Sequence, residues 1–273
     1  MHALAKRSLD CDIRFSLVLA TLVFLAASAG AGDGIVEINQ AAAERGGVTA
    51  TDTPGFPVTL DRPGSYRLTG ELLLSGPSSL DQRAIEVTAD DVAIDLGGFA
   101  ILGANPPLSC GGNSGRGISA VGRSRIAVRN GFVRRMGEVS IYLGSHSTIE
   151  GLIVLSSGSA GIVCESGCRV RGTLSQGNCG AGVVLLDGST VEESVASSSR
   201  EGSGIVSFGA GTAVVATLAI GNFGFGVEID PAGSTGVLAN SFLQLNGQGS
   251  GAAQFTGPWV SYARSACSGV PCL

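Results

Sequence analysis

The sequence predicts an all-β protein wound as a single-stranded parallel β-helix, a β-solenoid of about 22-residue coils with three short strands per coil. Recurrence is the first reason. Gly-Ile or Gly-Val pairs, with Ser140 replacing the glycine once, set anchors at Ile118, Ile141, Ile162, Val183, Ile205 and Val227, spaced 23, 21, 21, 22 and 22 residues apart. A second ladder falls at Val128, Ile149, Val170, Val191, Val214 and Val237, and a third at Phe132, Ile153, Leu174, Val195, Leu218 and Phe242. Composition is the second reason: 43 glycines in 273 residues exclude helical repeats, since each costs about 1 kcal/mol inside a helix. A leucine-rich repeat has a similar period, but its Leu-x-x-Leu-x-Leu-x-x-Asn pattern is absent. The third reason is size. A 22-residue unit cannot bury its apolar face alone, so units must stack, placing equivalent side chains about 4.8 Å apart.

The elements follow in chain order. Residues 1–31 read as a signal peptide: Lys6, Arg7 and Arg14, an apolar run from Phe15 to Ala27, then small residues from Ala27 to Ala31. The run falls short of the roughly 20 residues that span a bilayer, and no later stretch reaches it. The mature chain is therefore expected to be exported, to the periplasm, cell surface or medium, without a transmembrane anchor. Residues 32–75 form an N-terminal cap and entry strands, in which Asn39, Gln40 to Arg45 and Gly46-Gly47 spell a capped helix placed to close the core. Residues 76–250 are coils, with tight corners at segments such as Gly177-Asn178 and Gly221-Asn222. Ala104 to Arg116 is an insertion leaving one corner. Residues 251–273, with Phe255, Trp259 and Tyr262, are expected to form a C-terminal flap.

The residue after each second-ladder anchor must face out if the anchor faces in. For the first four anchors, continued back to the Ile94-Asp95 coil, those residues are Asp95, Arg129, Glu150, Arg171 and Glu192, an alternation of acid and base. Each exposed pair is worth about 0–1 kcal/mol, but a one-residue slip would bury the whole column, so its main effect is on register.

Six cysteines follow the signal segment: Cys110, Cys164, Cys168, Cys179, Cys267 and Cys272. In an exported chain they read as disulfides. Proximity favours Cys267 with Cys272 and Cys164 with Cys168, leaving Cys110 and Cys179 by elimination. No metal or other cofactor is expected, because the Cys spacings lack a paired histidine and His146 is the mature chain's single one.

The coil motif resembles the repeats of pectate-lyase-like proteins and of periplasmic copper-site assembly proteins grouped with carbohydrate-binding and sugar-hydrolase domains. The segments Asp33 to Gln40, Pro54 to Leu60, Gly64 to Thr69 and Val92 to Phe99 resemble the opening of a group of uncharacterised secreted bacterial right-handed β-helix proteins. That resemblance implies a right-handed winding and brings no activity with it.

Enzymes of this fold usually work on acidic polysaccharides along one outer face. The outward positions beside the first-ladder anchors read Ser119, Tyr142, Val163, Val184, Val206 and Glu228, then Val121, Gly144, Glu165, Leu186, Phe208 and Asp230. These are mostly apolar and lack the clustered acids of a calcium-dependent lyase. Asp90-Asp91 reads as a turn, although paired carboxylates can serve glycosidases. Glu228 and Asp230 read as a solvated edge able to hold a sugar hydroxyl or calcium. His146 reads as a corner residue. Arg123, Arg125, Arg129, Arg134 and Arg135 form the one basic cluster, split between structural pairing and an anionic glycan.

The apolar outer strip from Tyr142 to Phe208 needs a cover, either the tethered flap, favoured by its effective concentration, or a partner. The candidate ligand-binding set is thus Tyr142, Glu165, Phe208, Glu228, Asp230, Arg123 and Arg134, with no catalytic residue assigned. A net charge of −5 argues against nucleic acid. The leading expectation is an exported non-catalytic scaffold of the envelope or extracellular space, whose partner is a polysaccharide or an envelope component. The alternative is a lyase or epimerase acting on acidic glycans. The oligomeric state is not legible.

Overall fold

The structure is a computed structural model that describes residues 34–75, 81–103, 110–111, 113–229, 235–247, 254–257, 259–262, 265–268 and 270–271. The expected signal peptide lies outside them. The described chain is a parallel β-helix whose strands stack in three ladders. The first runs through nine strands, from Val58–Leu60 to Phe255–Thr256. The second begins at Ile35–Ile38 and ends at Trp259–Tyr262. The third runs from Leu72–Leu73 to Ala266–Cys267. Two long strands, Ala127–Arg134 and Thr148–Leu155, bend through the corner and serve both the second and third ladders. Among the described residues no helix is long and apolar enough to cross a membrane.

The first-ladder anchors stack rung on rung from Ile118 to Val227 and are buried. The second ladder keeps register from Val128 to Val214, but there Leu238, not Val237, lies on Val214. Eleven residues separate Val227 from Leu238, against nine between Ile205 and Val214, and three consecutive apolar residues, Val237 to Ala239, carry no alternation that would reveal the shift of register. The third column is stacked as expected, from Phe132 to Phe242, yet it faces outward. The buried column is the next one along: Val133, Val154, Ser175, Ala196, Ala219 and Leu243. Both faces of this ladder are apolar, so hydrophobicity alone does not orient it.

The helix Gln40–Arg45 closes the N-terminal end, with Ala42 and Ala43 buried. Asn39 caps it by accepting the Ala42 N–H at 2.9 Å, and Gly46, at φ 71°, stops it. At the other end the segment expected to fold back as a flap adds one more rung to each ladder. It then turns back antiparallel, Val270–Pro271 on Ala266–Cys267. Its backbone is committed to the end of the solenoid.

Corners expose backbone groups that the ladders do not satisfy, and buried ones must find partners. Small polar side chains supply them in columns. Between the second and third ladders, the N–H groups of Thr173, Ser194, Thr217 and Ser241 donate to the hydroxyls of Ser194, Thr217, Ser241 and Ser265 one coil on. Between the third and first, Ser157, Ser199 and Asn222 donate to the amide oxygens of Asn178, Asn222 and Asn246. These inward amides explain the glycines at Gly161, Gly204 and Gly226 before first-ladder strands. A Cβ at Gly204 would lie 2.6 Å from the Asn222 Nδ2, and one at Gly161 would lie 2.7 Å from the Asn178 Nδ2.

The charged column is longer than expected: Glu37, Arg67, Asp95, Arg129, Glu150, Arg171 and Glu192 occupy successive rungs. Contacts within it are selective. Arg129 reaches Asp95 at 3.1 Å, Arg171 prefers Glu193 at 3.0 Å over Glu150 at 3.9 Å, and Glu192 pairs with Arg169. Burial alone would push the Asp95 carboxyl up. The Gly97 N–H, the Asn130 amide and the Arg129 and Arg67 guanidinium groups outweigh it and hold the group below the ordinary carboxylate range. Arg169 does the same for Glu192, and Arg125 for Asp91. A depressed folded-state pKa gives stability that is complete above the unfolded value, about 4, and is lost as pH falls through the folded one. Denaturation midpoints should therefore decline as pH falls below about 4, and Asp95→Asn should make that decline shallower; an unchanged slope would remove Asp95 from the account.

Among the described residues, disulfides join Cys110 to Cys179 and Cys164 to Cys168. Cys267 is also disulfide-bonded; Cys272 lies outside the described residues.

Candidate functional site

Two outer faces hold the residues that the sequence nominates, and the structure does not bring them all together. On the first-ladder face the outward column reads Ser119, Tyr142, Val163, Val184, Val206 and Glu228. Much of it is already engaged. The Arg116 guanidinium lies 5.0 Å from the Tyr142 ring centroid while its nitrogens hold Glu138 at 2.7 and 3.1 Å. Glu165 accepts from the Gly122 N–H and the Ser145 hydroxyl at 3.3 and 3.4 Å, tying two corners together. Glu228 accepts from the Ser203 hydroxyl at 2.6 Å, and Asp230 lies outside the described residues. Val206 is buried, whereas Phe208 is 49% exposed.

The corner acids and His146 have structural explanations. Asp91, at φ 58°, binds Arg125 through both oxygens, and Asp90 accepts the Ser124 N–H at 2.9 Å. His146 is an exposed corner residue at φ 56°. Arg123 is exposed beside the first-ladder corner.

Arg134 stands apart on the third-ladder face, in a cleft of about 420 Å³. Its walls are Glu71, Gly98, Ala100, Leu102, Phe132, Arg134, Arg135, Leu155 and Ser156. The floor forms because Leu102, Arg134 and Leu155 are successive rungs of one outward column, with Ala100 and Phe132 on its neighbour. Ala100 is too small to fill the space beside Phe132.

Consecutive strand residues point to opposite faces, so Arg135 should turn inward after Arg134. It does not, because its φ of 59° ends the strand and keeps it on the cleft side. Gly103 permits that corner: a Cβ there would lie 1.9 Å from the Arg135 carbonyl oxygen.

Electrostatically the cleft is unfinished. The Arg134 Cζ lies 4.5 Å from the Phe132 ring centroid, which fixes the guanidinium plane against an aromatic face. Its Nε is buried with no hydrogen-bond partner among the described residues. Among the described residues, eight arginines have a carboxylate within 4 Å, and Arg134 and Arg135 are not among them. Two cations beside an apolar floor, with one carboxylate, Glu71, at the edge, can receive an anion carried on a flat, partly apolar body. Among the described residues no three His, Cys, Asp or Glu side chains are grouped to hold a metal ion.

Of the ligand-binding residues expected from the sequence, Arg134 lines this cleft, while Tyr142, Glu165, Phe208, Glu228 and Arg123 lie elsewhere. The repeat pattern places Phe132 in the core, and nothing in that pattern marks Glu71.

No family model matches the chain, and no curated protein does. Solved structures share its winding. A mutant of the periplasmic alginate epimerase AlgG superposes with a TM-score of 0.53 and 12% identity, over 85% of this chain and 54% of that one. ORF18 of Geobacillus virus E2 gives a TM-score of 0.50 and 14% identity, over 95% of this chain and 65% of that one. The likeness is one of fold. This chain spans about half of the epimerase and about two thirds of the viral protein.

Proposed function

We propose that the chain is an exported β-helix protein that binds acidic carbohydrate without transforming it, serving as an envelope or extracellular scaffold. The observation that carries this reading is the Arg134–Arg135 cleft, where two guanidinium groups with no carboxylate within 4 Å among the described residues border an apolar floor. A uronate fits that chemistry: its carboxylate takes the charge-assisted bonds, and the C–H face of its ring packs on Phe132 and Leu155. The fold shared with a periplasmic alginate epimerase supports a glycan partner. Exported-compartment chemistry is consistent with the disulfides.

The reading separates from catalysis in one experiment. Oligomeric uronates titrated into the mature chain by calorimetry should bind, and the affinity should fall as salt rises, because charge pairing is screened. A neutral oligosaccharide of equal length should bind at least tenfold more weakly. Absorbance at 235 nm and solvent deuterium at the uronate C5 should both stay at background. Unsaturated product, or deuterium incorporation abolished with Arg134, would replace the scaffold by a lyase or epimerase; equal affinity for the neutral chain would remove the cleft from the account.

A further inference from the structure

We infer that the Cys110–Cys179 bridge is a thiol-exchange site with a fixed polarity, in which an external thiolate adds to Cys110 and Cys179 departs. The two sulfur atoms differ in access and in charge. Cys110 is half-buried on a segment outside the ladders, whereas Cys179 is 2% exposed. The exposed Arg200 places its Nη2 2.8 Å from the Cys179 Sγ. That guanidinium has no carboxylate within 4 Å among the described residues. A cation beside a sulfur stabilises the thiolate it would become, and a better-stabilised thiolate leaves faster.

The other described bridge provides the contrast. Cys164 and Cys168 are 0% and 2% exposed and belong to the apolar core. The polar neighbour of both is the Gly144 carbonyl oxygen, at 3.9 and 3.4 Å, which disfavours a thiolate. That bridge closes four residues of one corner, whereas Cys110–Cys179 ties residues 69 apart.

The step balances as an ordinary exchange. The attacking sulfur forms a bond to the Cys110 Sγ, the Cys110–Cys179 bond breaks, and its electron pair leaves on Cys179 beside Arg200. A second thiolate then attacks the mixed disulfide. Two external thiols are oxidised to one disulfide, the protein bridge gains two electrons, and water or buffer supplies the protons to the released thiolates.

Beyond the bridge, the described residues next to Cys110 contact the solenoid through the Gly111 N–H to the Gly158 carbonyl at 3.0 Å, Ser114 to Asp81, and the Glu138 N–H to the Gly115 carbonyl at 2.8 Å. Nothing in this exchange depends on glycan binding.

The test uses the full oxidised mature chain, with reduced glutathione in one arm and a thioredoxin-type dithiol protein in the other, quenched by alkylation and mapped by mass spectrometry. The expected first products are an adduct on Cys110 with Cys179 alkylated, and an intact Cys164–Cys168 bridge. A faster glutathione arm assigns the site to a small thiol, and a faster protein arm assigns it to a dithiol enzyme. Arg200→Ala should slow the first step about fivefold, and Arg200→Lys should restore most of the rate. The inference is overturned by an adduct on Cys179, by earlier loss of Cys164–Cys168, by no adduct in either arm, or by an unchanged rate in Arg200→Ala with an unaltered circular dichroism spectrum.

Discussion

Asn222→Ala should destabilise the folded chain by about 3–5 kcal/mol, well beyond a typical point substitution. The side chain is wholly buried and works in both directions along the solenoid. Its Oδ1 accepts the Ser199 N–H at 3.0 Å, and its Nδ2 donates to the Ala196 carbonyl at 3.1 Å and to the Asn246 Oδ1 at 2.8 Å. Alanine leaves a donor and a carbonyl buried without these bonds, each costing about 1–3 kcal/mol. It also opens a void against Gly204. The neighbour in the same column gives the opposite expectation. The Ser199 hydroxyl is buried with no partner, so Ser199→Ala removes nothing that is satisfied and should shift stability by less than about 0.5 kcal/mol. Guanidinium denaturation of the two variants, with slopes unchanged from the parent, reads both numbers. Equal effects would show that the amide column carries no special load.

Arg134→Ala combined with Arg135→Ala should weaken uronate binding about 100-fold or more while leaving the fold intact. A hydrogen bond to a charged group contributes about 1.5–3 kcal/mol, so each single change should cost roughly tenfold or more, and neighbouring groups acting on one carboxylate will not add simply. Arg134→Lys is the sharper probe. It keeps the charge but loses the planar fork held against Phe132, so most of the affinity should go with it. Full retention in the lysine variant would mean that charge alone is recognised. Retention in the double alanine variant would move the binding surface elsewhere, with the exposed Phe208 on the first-ladder face as the next place to look.

Much of the winding is legible in the sequence because close packing repeats its demands at every coil. Gly161, Gly182, Gly204 and Gly226 recur since a side chain there would collide with its neighbours, and Arg129 to Glu192 alternate since rungs are neighbours. Periodicity fails where the period says nothing. Phe132 and Val133 are both apolar, and the left-handed corner at Asn130, φ 58°, decides which one turns inward; Gly131 beside it leaves the room, since a Cβ there would lie 2.4 Å from the Leu96 Cβ. The shift of pairing from Val237 to Leu238 hides among apolar neighbours. The end segment keeps no repeat signature, so its continuation of all three ladders leaves no mark in the pattern.

The cleft is the least legible feature. Arg134 and Arg135 are evident as a basic pair, but a pair on a strand straddles the sheet. Their sharing one face depends on a left-handed backbone angle at Arg135 and on a glycine 32 residues earlier, Gly103, that leaves room for it. The empty volume depends in turn on the small side chain at Ala100. The left-handed angle does recur, at Ser156, Gly177, Ser198, Gly221 and Leu245 one rung after another, but the room left at Gly103 and Ala100 rests on single side chains, and these leave no periodic trace.

The seven-rung charge column has a parity. Its sign reverses at every turn from Glu37 to Glu192, so excising one whole turn in this region would set like beside like, whereas excising two would restore the match. Homologous solenoids that keep such a file should differ in length there by even numbers of turns, and an engineer shortening this molecule should count in twos.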